Sequence, residues 1–213
     1  MDPTFTIFQK MSSLPGAIMA LATTAARSVD RTFHCPDGTR LEAIQWEMPQ
    51  NHMKPVLTSK EAPAAAKKRV LCLHGWLDNT SSFHFLGPAL SESPLLTSDL
   101  GYSDVVALDL PGHGLSSHKG PDGPTQILAE YAYYVAEAAS AMGWWDGVTD
   151  RESREGGGDP QSVPQQEKFS IVGHSMGAGV AVMFAAAFPE RVEKLVLLEV
   201  RGSENVLNET HPG

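Results

Sequence analysis

Four short, continuous apolar runs constrain the fold of this chain more than any other feature of its sequence. Runs of this kind are typical of strands buried on both faces, as in parallel sheets. They occupy residues 70–73, 105–108, 169–172 and 195–198. Stretches with helical periodicity separate them: residues 125–142 are apolar along one face, and residues 176–188 are apolar nearly all round, which predicts a buried helix. Alternation of strand and helix predicts an α/β fold with a mostly parallel, doubly wound sheet.

We place the α/β core at residues 30–205, and several segments within it and beside it differ in character from the apolar runs. Residues 32–46 are predicted to form an N-terminal β-hairpin closed by the turn Pro36-Asp37-Gly38. Residues 1–29, rich in Ala, Ser, Thr and Met, are either a plain extension or a weak organelle-targeting peptide. Residues 147–168 are charged, Gly-rich and aperiodic, which predicts a disordered insertion. Residues 206–213 are interpreted as a tail.

Composition excludes several classes of protein. The 213 residues carry a formal charge of −9, which disfavours nucleic acid as a partner. No apolar run approaches the ~20 residues that a membrane span requires. The two cysteines, Cys35 and Cys72, form no CxxC pair, and the eight histidines show no clustered ligand spacing, so we expect neither metal nor cofactor. A cytoplasmic location is predicted, or a mitochondrial or other organellar one if residues 1–29 are a targeting peptide. The sequence predicts no oligomeric state.

The pentapeptide Gly-His-Ser-Met-Gly at residues 173–177 is the most informative motif. It matches G-x-S-x-G, and it lies between an apolar run and an Ala-rich helical stretch, which is the context that this nucleophile motif requires. A serine hydroxyl is a weak nucleophile that must project from a sharp turn toward a base and oxyanion donors. The motif therefore predicts Ser175 as a catalytic nucleophile; the alternative is a structural Gly-rich turn.

Two further glycine-containing loops follow predicted strands. The segment His-Gly-Trp-Leu-Asp at residues 74–78 ends the first run, and we predict the backbone N–H groups of Trp76 and Met176 as the oxyanion hole. The alternative for this segment is a simple strand-exit turn. The loop at residues 109–116 contains G-x-G, but its third fingerprint position is Ser117 and no helix follows directly, so dinucleotide binding is not supported.

Together these motifs resemble the α/β-hydrolase superfamily and, within it, the serine hydrolase-like protein branch. The resemblance covers roughly residues 32–199, and the segments that carry it are 73–83, 109–118, 173–177 and 188–198. It implies a cofactor-free serine hydrolase that acts on a carboxylic ester or related small acyl substrate. It also implies that a histidine takes the serine proton and that an Asp or Glu orients this histidine.

The expected triad is incomplete in this chain. In the superfamily the order is Ser, then Asp or Glu, then His after the last strand. Glu199 matches a position that some members use for the acid, although a plain charged strand-exit residue explains it equally well. His211 follows Glu199 by 12 residues, too few for the remaining strands and helix, so we assign no base and expect the C-terminal strands to be missing.

The incomplete triad leaves other functions open. One alternative is a non-catalytic or vestigial α/β-hydrolase-like fragment that lacks the triad His. Cofactor-free peroxidase and C–C bond hydrolase activity also remain open. The serine at position 175 argues against superfamily members that use an aspartate nucleophile.

Overall fold

The computed structural model describes residues 26–47, 68–92, 103–120, 122–123, 126–145 and 168–198, and the structural statements below concern these residues. Several predictions therefore lie outside the described residues. They concern Glu199, His211, the tail at 206–213, nearly all of the insertion at 147–168 and most of the extension at 1–29.

Six strands of the described chain form one sheet in the order β1-β2-β4-β3-β5-β6. The strands are β1 (Arg27–His34), β2 (Arg40–Glu47), β3 (Lys68–Leu73), β4 (Ser103–Leu108), β5 (Phe169–His174) and β6 (Val192–Leu198). The hairpin β1–β2 is antiparallel, as is the pair β2–β4. The other three neighbouring pairs are parallel. The predicted α/β fold, with a mostly parallel sheet and an N-terminal hairpin, is confirmed.

Three α-helices accompany the sheet in the described ranges: α1 (Leu86–Ser91), α2 (Leu128–Ala141) and α3 (Met176–Ala187). Short 3₁₀ turns cover Thr80–Phe83 and Pro189–Arg191. None of the helices in the described part of the chain has the length and apolar character needed to cross a membrane.

Alternate residues of the parallel strands enter two separate cores, one on each face of the sheet. Leu71 and Leu73 of β3 belong to the core beneath α2 and α3. Val70 and Cys72 of the same strand belong to the opposite core, which also holds Phe83. Because successive side chains of a strand point to opposite faces, burial on both faces requires the continuous apolar runs seen in the sequence.

Two elements differ from their predicted form. Strand β1 begins at Arg27, so the last three residues of the predicted extension belong to the sheet. The cause is that β1 is mostly exposed, and its polar residues give no apolar run. Helix α3 buries only one face, and Val182 (45%) and Met183 (38%) are exposed, because the helix lies on the surface of the sheet rather than between two layers.

The parallel register aligns the ends of the central strands. Leu73 of β3 pairs with Leu108 of β4 and with Gly173 of β5, and Gly173 pairs with Leu197 of β6. The loops that leave β3, β4 and β5 therefore meet at one edge of the sheet, which we call the carboxyl edge. Ligands of open α/β sheets bind at such an edge.

Candidate functional site

Ser175 occupies a single-residue turn between β5 and α3 at the carboxyl edge. Its backbone has φ +51° and ψ −112°, and its side chain is exposed. Among the described non-glycine residues, only Ser175 and Leu77 have positive φ. Such a conformation costs about 1–3 kcal/mol and persists only where the surrounding structure enforces it. The strand–turn–helix context predicted for the motif is present.

The glycines on either side of this turn are required by close backbone contacts. A Cβ on Gly173 would lie 2.5 Å from the carbonyl oxygen of Gly177 and 2.6 Å from Cα of Ala178. A Cβ on Gly177 would overlap the carbonyl oxygen of Leu73 and lie 2.6 Å from that of His74. The first turn of α3 thus rests directly on the end of β3, and this contact holds the tight turn at Ser175.

The backbone around Ser175 joins three elements. Its N–H donates to the carbonyl of Leu198 at 3.0 Å, which places the end of β6 beside the turn. Its carbonyl accepts from the N–H groups of Ala178 at 3.0 Å and Gly179 at 3.3 Å, which starts α3. The side chain of Ser175 does not cap the helix. Met176 is the first helical residue, and the N–H groups at a helix N-terminus attract negative charge.

The segment at residues 74–78 packs against this turn. A Cβ on Gly75 would lie 3.1 Å from Nδ1 of His174 and 3.4 Å from Cβ of Ser175. Trp76 follows, with 65% of its surface exposed. Its ring meets the buried ring of His113 edge to face, with centroids 5.5 Å apart. The structure therefore brings together Ser175, Met176 and the segment that contains Trp76.

His74 is a buried link between the loops that follow β3 and β4. Its Nε2 accepts a hydrogen bond from the N–H of Leu110 at 3.0 Å. The proton of the ring is therefore on Nδ1, which donates to the carbonyl of Gly75 at 2.7 Å. Burial lowers the pKa of His74, which favours this neutral form. Because both ring nitrogens are engaged, His74 is not a candidate for the catalytic base.

Asp109 is a second buried link; the sequence analysis placed it at the start of a motif but gave it no role. One carboxylate oxygen accepts from the N–H of Thr80 at 2.7 Å, and the other accepts from the N–H of Leu115 at 2.8 Å. Gly114 has φ +51°, and a Cβ there would overlap this carboxylate. The spacing Asp-x-x-Gly-x-Gly is the signal that could have indicated a carboxylate enclosed by its own loop.

Asp78 carries a negative charge at the far end of the same segment. Although its partial burial opposes ionisation, hydrogen bonds from the Ser82 hydroxyl and the Asn79 N–H hold the pKa of Asp78 below its usual range. The nearby imidazole rings of His74 and His174 contribute in the same direction. Asp78 is therefore ionised at neutral pH.

Other polar features of the described residues lie away from Ser175. A cavity of about 280 Å³ is lined by residues of the β1–β2 turn, the loop after β4 and α2, and Ser175 does not line it. Cys35 and Cys72 are buried with their pKa raised to about 12 by burial, so neither is a reactive thiol. Within the described ranges, no three His, Cys, Asp or Glu residues cluster as metal ligands would.

Comparisons with known proteins identify the family of this chain. Residues 70–210 match the model of the alpha/beta hydrolase family. The chain is 41% identical over 133 residues to a serine hydrolase-like protein of Danio rerio, covering 62% of this chain and 31% of the relative. It is 40% identical over 130 residues to a serine hydrolase-like protein of Homo sapiens, covering 61% of this chain and 48% of the relative. The matches thus span between about a third and a half of these relatives. The predicted resemblance is confirmed.

Solved structures support the fold. An alpha/beta hydrolase from Novosphingobium aromaticivorans aligns with a TM-score of 0.52 and 21% identity, covering 83% of this chain and 45% of the other. A predicted CIB-like hydrolase from Thermoplasma acidophilum aligns with a TM-score of 0.54 and 16% identity, covering 85% of this chain and 67% of the other. At these identities the likeness shows a shared fold and nothing about substrates.

Proposed function

Because the chain belongs to the alpha/beta hydrolase family, we propose that it is a serine hydrolase whose nucleophile is Ser175 and whose substrate is a carboxylic ester or related acyl compound. One observation carries the proposal: an exposed serine with φ +51° stands on a turn enforced by two glycines that have no room for a Cβ. Backbone strain of this kind is found where function requires it.

The proposed reaction begins when Oγ of Ser175 forms a bond to the carbonyl carbon of the substrate. The π electrons of the carbonyl move to its oxygen, and the serine proton passes to a base. Collapse of the tetrahedral intermediate expels the alcohol, which takes up that proton, and leaves an acyl-enzyme. Water then adds to the acyl carbon and gives a proton to the base, and collapse of the second tetrahedral intermediate breaks the bond to Oγ, which takes up that proton as the carboxylic acid leaves.

The negative charge of the intermediate would be stabilised by the N–H groups of Met176 and Trp76. Met176 opens α3, so its N–H is at the positive end of the helix dipole. Trp76 follows Gly75, which lies against Ser175. Removing one such donor from an oxyanion hole typically lowers kcat by about 10²–10³-fold.

The base and the acid are the parts of the triad that the described residues do not supply. His74 is engaged at both ring nitrogens. In the family pattern the histidine follows the last strand, and the matched relatives extend well beyond the aligned segment. Glu199 follows Leu198, whose carbonyl accepts from the Ser175 N–H at 3.0 Å, and it is our candidate for the acid.

A fluorophosphonate probe tests the proposal directly, because it labels activated serines covalently. We expect the wild-type chain to be labelled and Ser175→Ala to remain unlabelled. Ser81→Ala is the matched control, because Ser81 is another exposed serine of the described loops, and its substitution should leave labelling unchanged. Circular dichroism establishes that all three proteins fold.

Two results would contradict the proposal. Equal labelling of the wild type and Ser175→Ala would show that another residue reacts. A folded wild type that is neither labelled nor able to hydrolyse p-nitrophenyl acetate would favour the non-catalytic alternative.

A further inference from the structure

The peptide bond between Gly75 and Trp76 is hydrogen-bonded on one side only. Its carbonyl, that of Gly75, accepts from Nδ1 of His74 at 2.7 Å. Its N–H, that of Trp76, donates to no residue in the part of the chain that the structure describes. A peptide bond is planar and its carbonyl and N–H point in opposite directions, so a bond that fixes the carbonyl also fixes the direction of the N–H. The direction of the Trp76 N–H therefore depends on His74.

His74 is itself held in one orientation by its surroundings. Its Nε2 accepts from the N–H of Leu110 at 3.0 Å, which leaves the ring proton on Nδ1. The side chain has no exposed surface, and its ring lies 5.0 Å from the ring of His113 between centroids. The donor that binds the Gly75 carbonyl is thus fixed by a bond at the opposite side of the same ring.

The turn that carries Ser175 adjoins this peptide. A Cβ on Gly75 would lie 3.4 Å from Cβ of Ser175. Met176, the first residue of α3, has an N–H that also donates to none of the described residues. An oxyanion hole needs N–H groups that the fold itself leaves unpaired and that the surrounding structure holds in place beforehand. The N–H groups of Trp76 and Met176 meet the first condition, and the bond from His74 supplies the second for Trp76.

We propose that His74 is a positioning residue, which orients the Gly75–Trp76 peptide so that the Trp76 N–H faces the oxyanion formed at Ser175. This inference rests on the proposed function. His74 also joins two loops through its bond with Leu110, and that bond uses the other ring nitrogen. The orienting role and the loop-joining role can therefore be removed one at a time.

Two substitutions at position 74 separate the two hydrogen bonds. In His74→Asn the amide nitrogen is as many bonds from Cβ as Nδ1, so it can donate to the Gly75 carbonyl, but nothing reaches Leu110. In His74→Gln the amide oxygen is as many bonds from Cβ as Nε2, so it can accept from the Leu110 N–H, while the Gly75 carbonyl loses its donor. His84→Gln is the control, because His84 is an exposed histidine of the following loop.

The rate of fluorophosphonate labelling measures the effect on the site. We expect His74→Gln to slow labelling by about 10²-fold, the typical effect of losing one oxyanion donor, His74→Asn to slow it by less than about tenfold, and His84→Gln to leave it unchanged.

Thermal unfolding should rank the two variants in the opposite order. His74→Asn leaves the buried N–H of Leu110 unpaired, whereas His74→Gln leaves only a carbonyl unpaired, and a buried N–H without a partner is the less tolerated of the two. We therefore expect the lower unfolding midpoint for His74→Asn. If His74 had only a structural role, the less stable variant would also react more slowly.

NMR spectroscopy tests the orientation without any chemistry. The residual dipolar coupling of the Trp76 backbone N–H, measured in a weakly aligned sample, reports the direction of that bond. We expect it to change in His74→Gln and to stay near the wild-type value in His74→Asn. The backbone N–H groups of the buried Trp46, Trp144 and Trp145 serve as internal references.

The outcomes separate this inference from the proposed function. If the wild type is not labelled but the Trp76 coupling changes only in His74→Gln, the orienting role stands and the hydrolase proposal falls. An unchanged Trp76 coupling in His74→Gln overturns the inference, whether or not Ser175 reacts. So does equal labelling of the two variants, or labelling that follows their stability.

Discussion

The contact between the first turn of α3 and the end of β3 can be tested with two glycine-to-alanine substitutions in one helix. In Gly177→Ala, the new Cβ overlaps the carbonyl oxygen of Leu73 and lies 2.6 Å from that of His74. In Gly179→Ala, the new Cβ meets only Cδ1 of Leu128, at an ordinary 3.6 Å. The chemical change is identical, and the two positions differ in what the methyl group meets.

The expected magnitudes follow from two opposing terms. Alanine is favoured over glycine within a helix by about 1 kcal/mol, and this gain is common to both variants. Overpacking typically costs about 1–3 kcal/mol, and the upper end applies at Gly177 because main-chain atoms of a central strand cannot rotate away. We therefore expect Gly179→Ala to be stabilised by about 1 kcal/mol, and Gly177→Ala to be less stable than Gly179→Ala by about 3 kcal/mol or more.

Urea unfolding followed by far-ultraviolet circular dichroism measures both values. For a chain of this size, each 1 kcal/mol corresponds to about 2–4 °C in Tm, so thermal unfolding provides a second measurement. Labelling of Ser175 by fluorophosphonate should fall in Gly177→Ala, because the turn shifts, and should persist in Gly179→Ala. Equal stabilities of the two variants would refute the close contact between α3 and β3.

Three further predictions concern single residues of the carboxyl edge. Burial lowers the pKa of His74 from its ordinary 6.5, so below that pH the unfolded chain binds the extra proton and stability falls. An NMR titration in which His74 protonates at its ordinary value would contradict this. Asp109→Asn leaves a backbone N–H at Thr80 or Leu115 facing an amide NH₂, and we expect a loss of about 2–3 kcal/mol in urea unfolding. An unchanged unfolding midpoint would show that these hydrogen bonds do not form. Ser175→Gly relieves the strain at φ +51° and should gain about 1 kcal/mol while abolishing fluorophosphonate labelling. A stability equal to or below that of the wild type would argue against strain at this turn.

The predictions that agree best with the structure depend on patterns within a few consecutive residues. A strand buried on both faces must be apolar at every position, so residues 70–73 and 105–108 revealed the central strands before any contact was known. Strand β1 of the hairpin has no such apolar pattern because it is largely exposed. The sequence prediction therefore missed its start at Arg27. The exposed face of α3 was missed because it carries the apolar residues Val182 and Met183 and no polar residue, so the sequence does not mark the exposed side.

Within the candidate site, the sequence alone determined the strand–turn–helix around Ser175, because the two glycines and the flanking apolar runs lie within a few residues of one another. Only the tertiary structure determined which loops lie around this turn and which hydrogen bonds join them. His74 binds the N–H of Leu110, 36 residues away, and Asp109 binds that of Thr80, 29 residues away. These bonds form only because parallel pairing brings the ends of β3 and β4 together, and spacing along the chain carries no information about that pairing. The left-handed conformation of Leu77 likewise cannot be predicted from its residue type, since a leucine by itself favours negative φ.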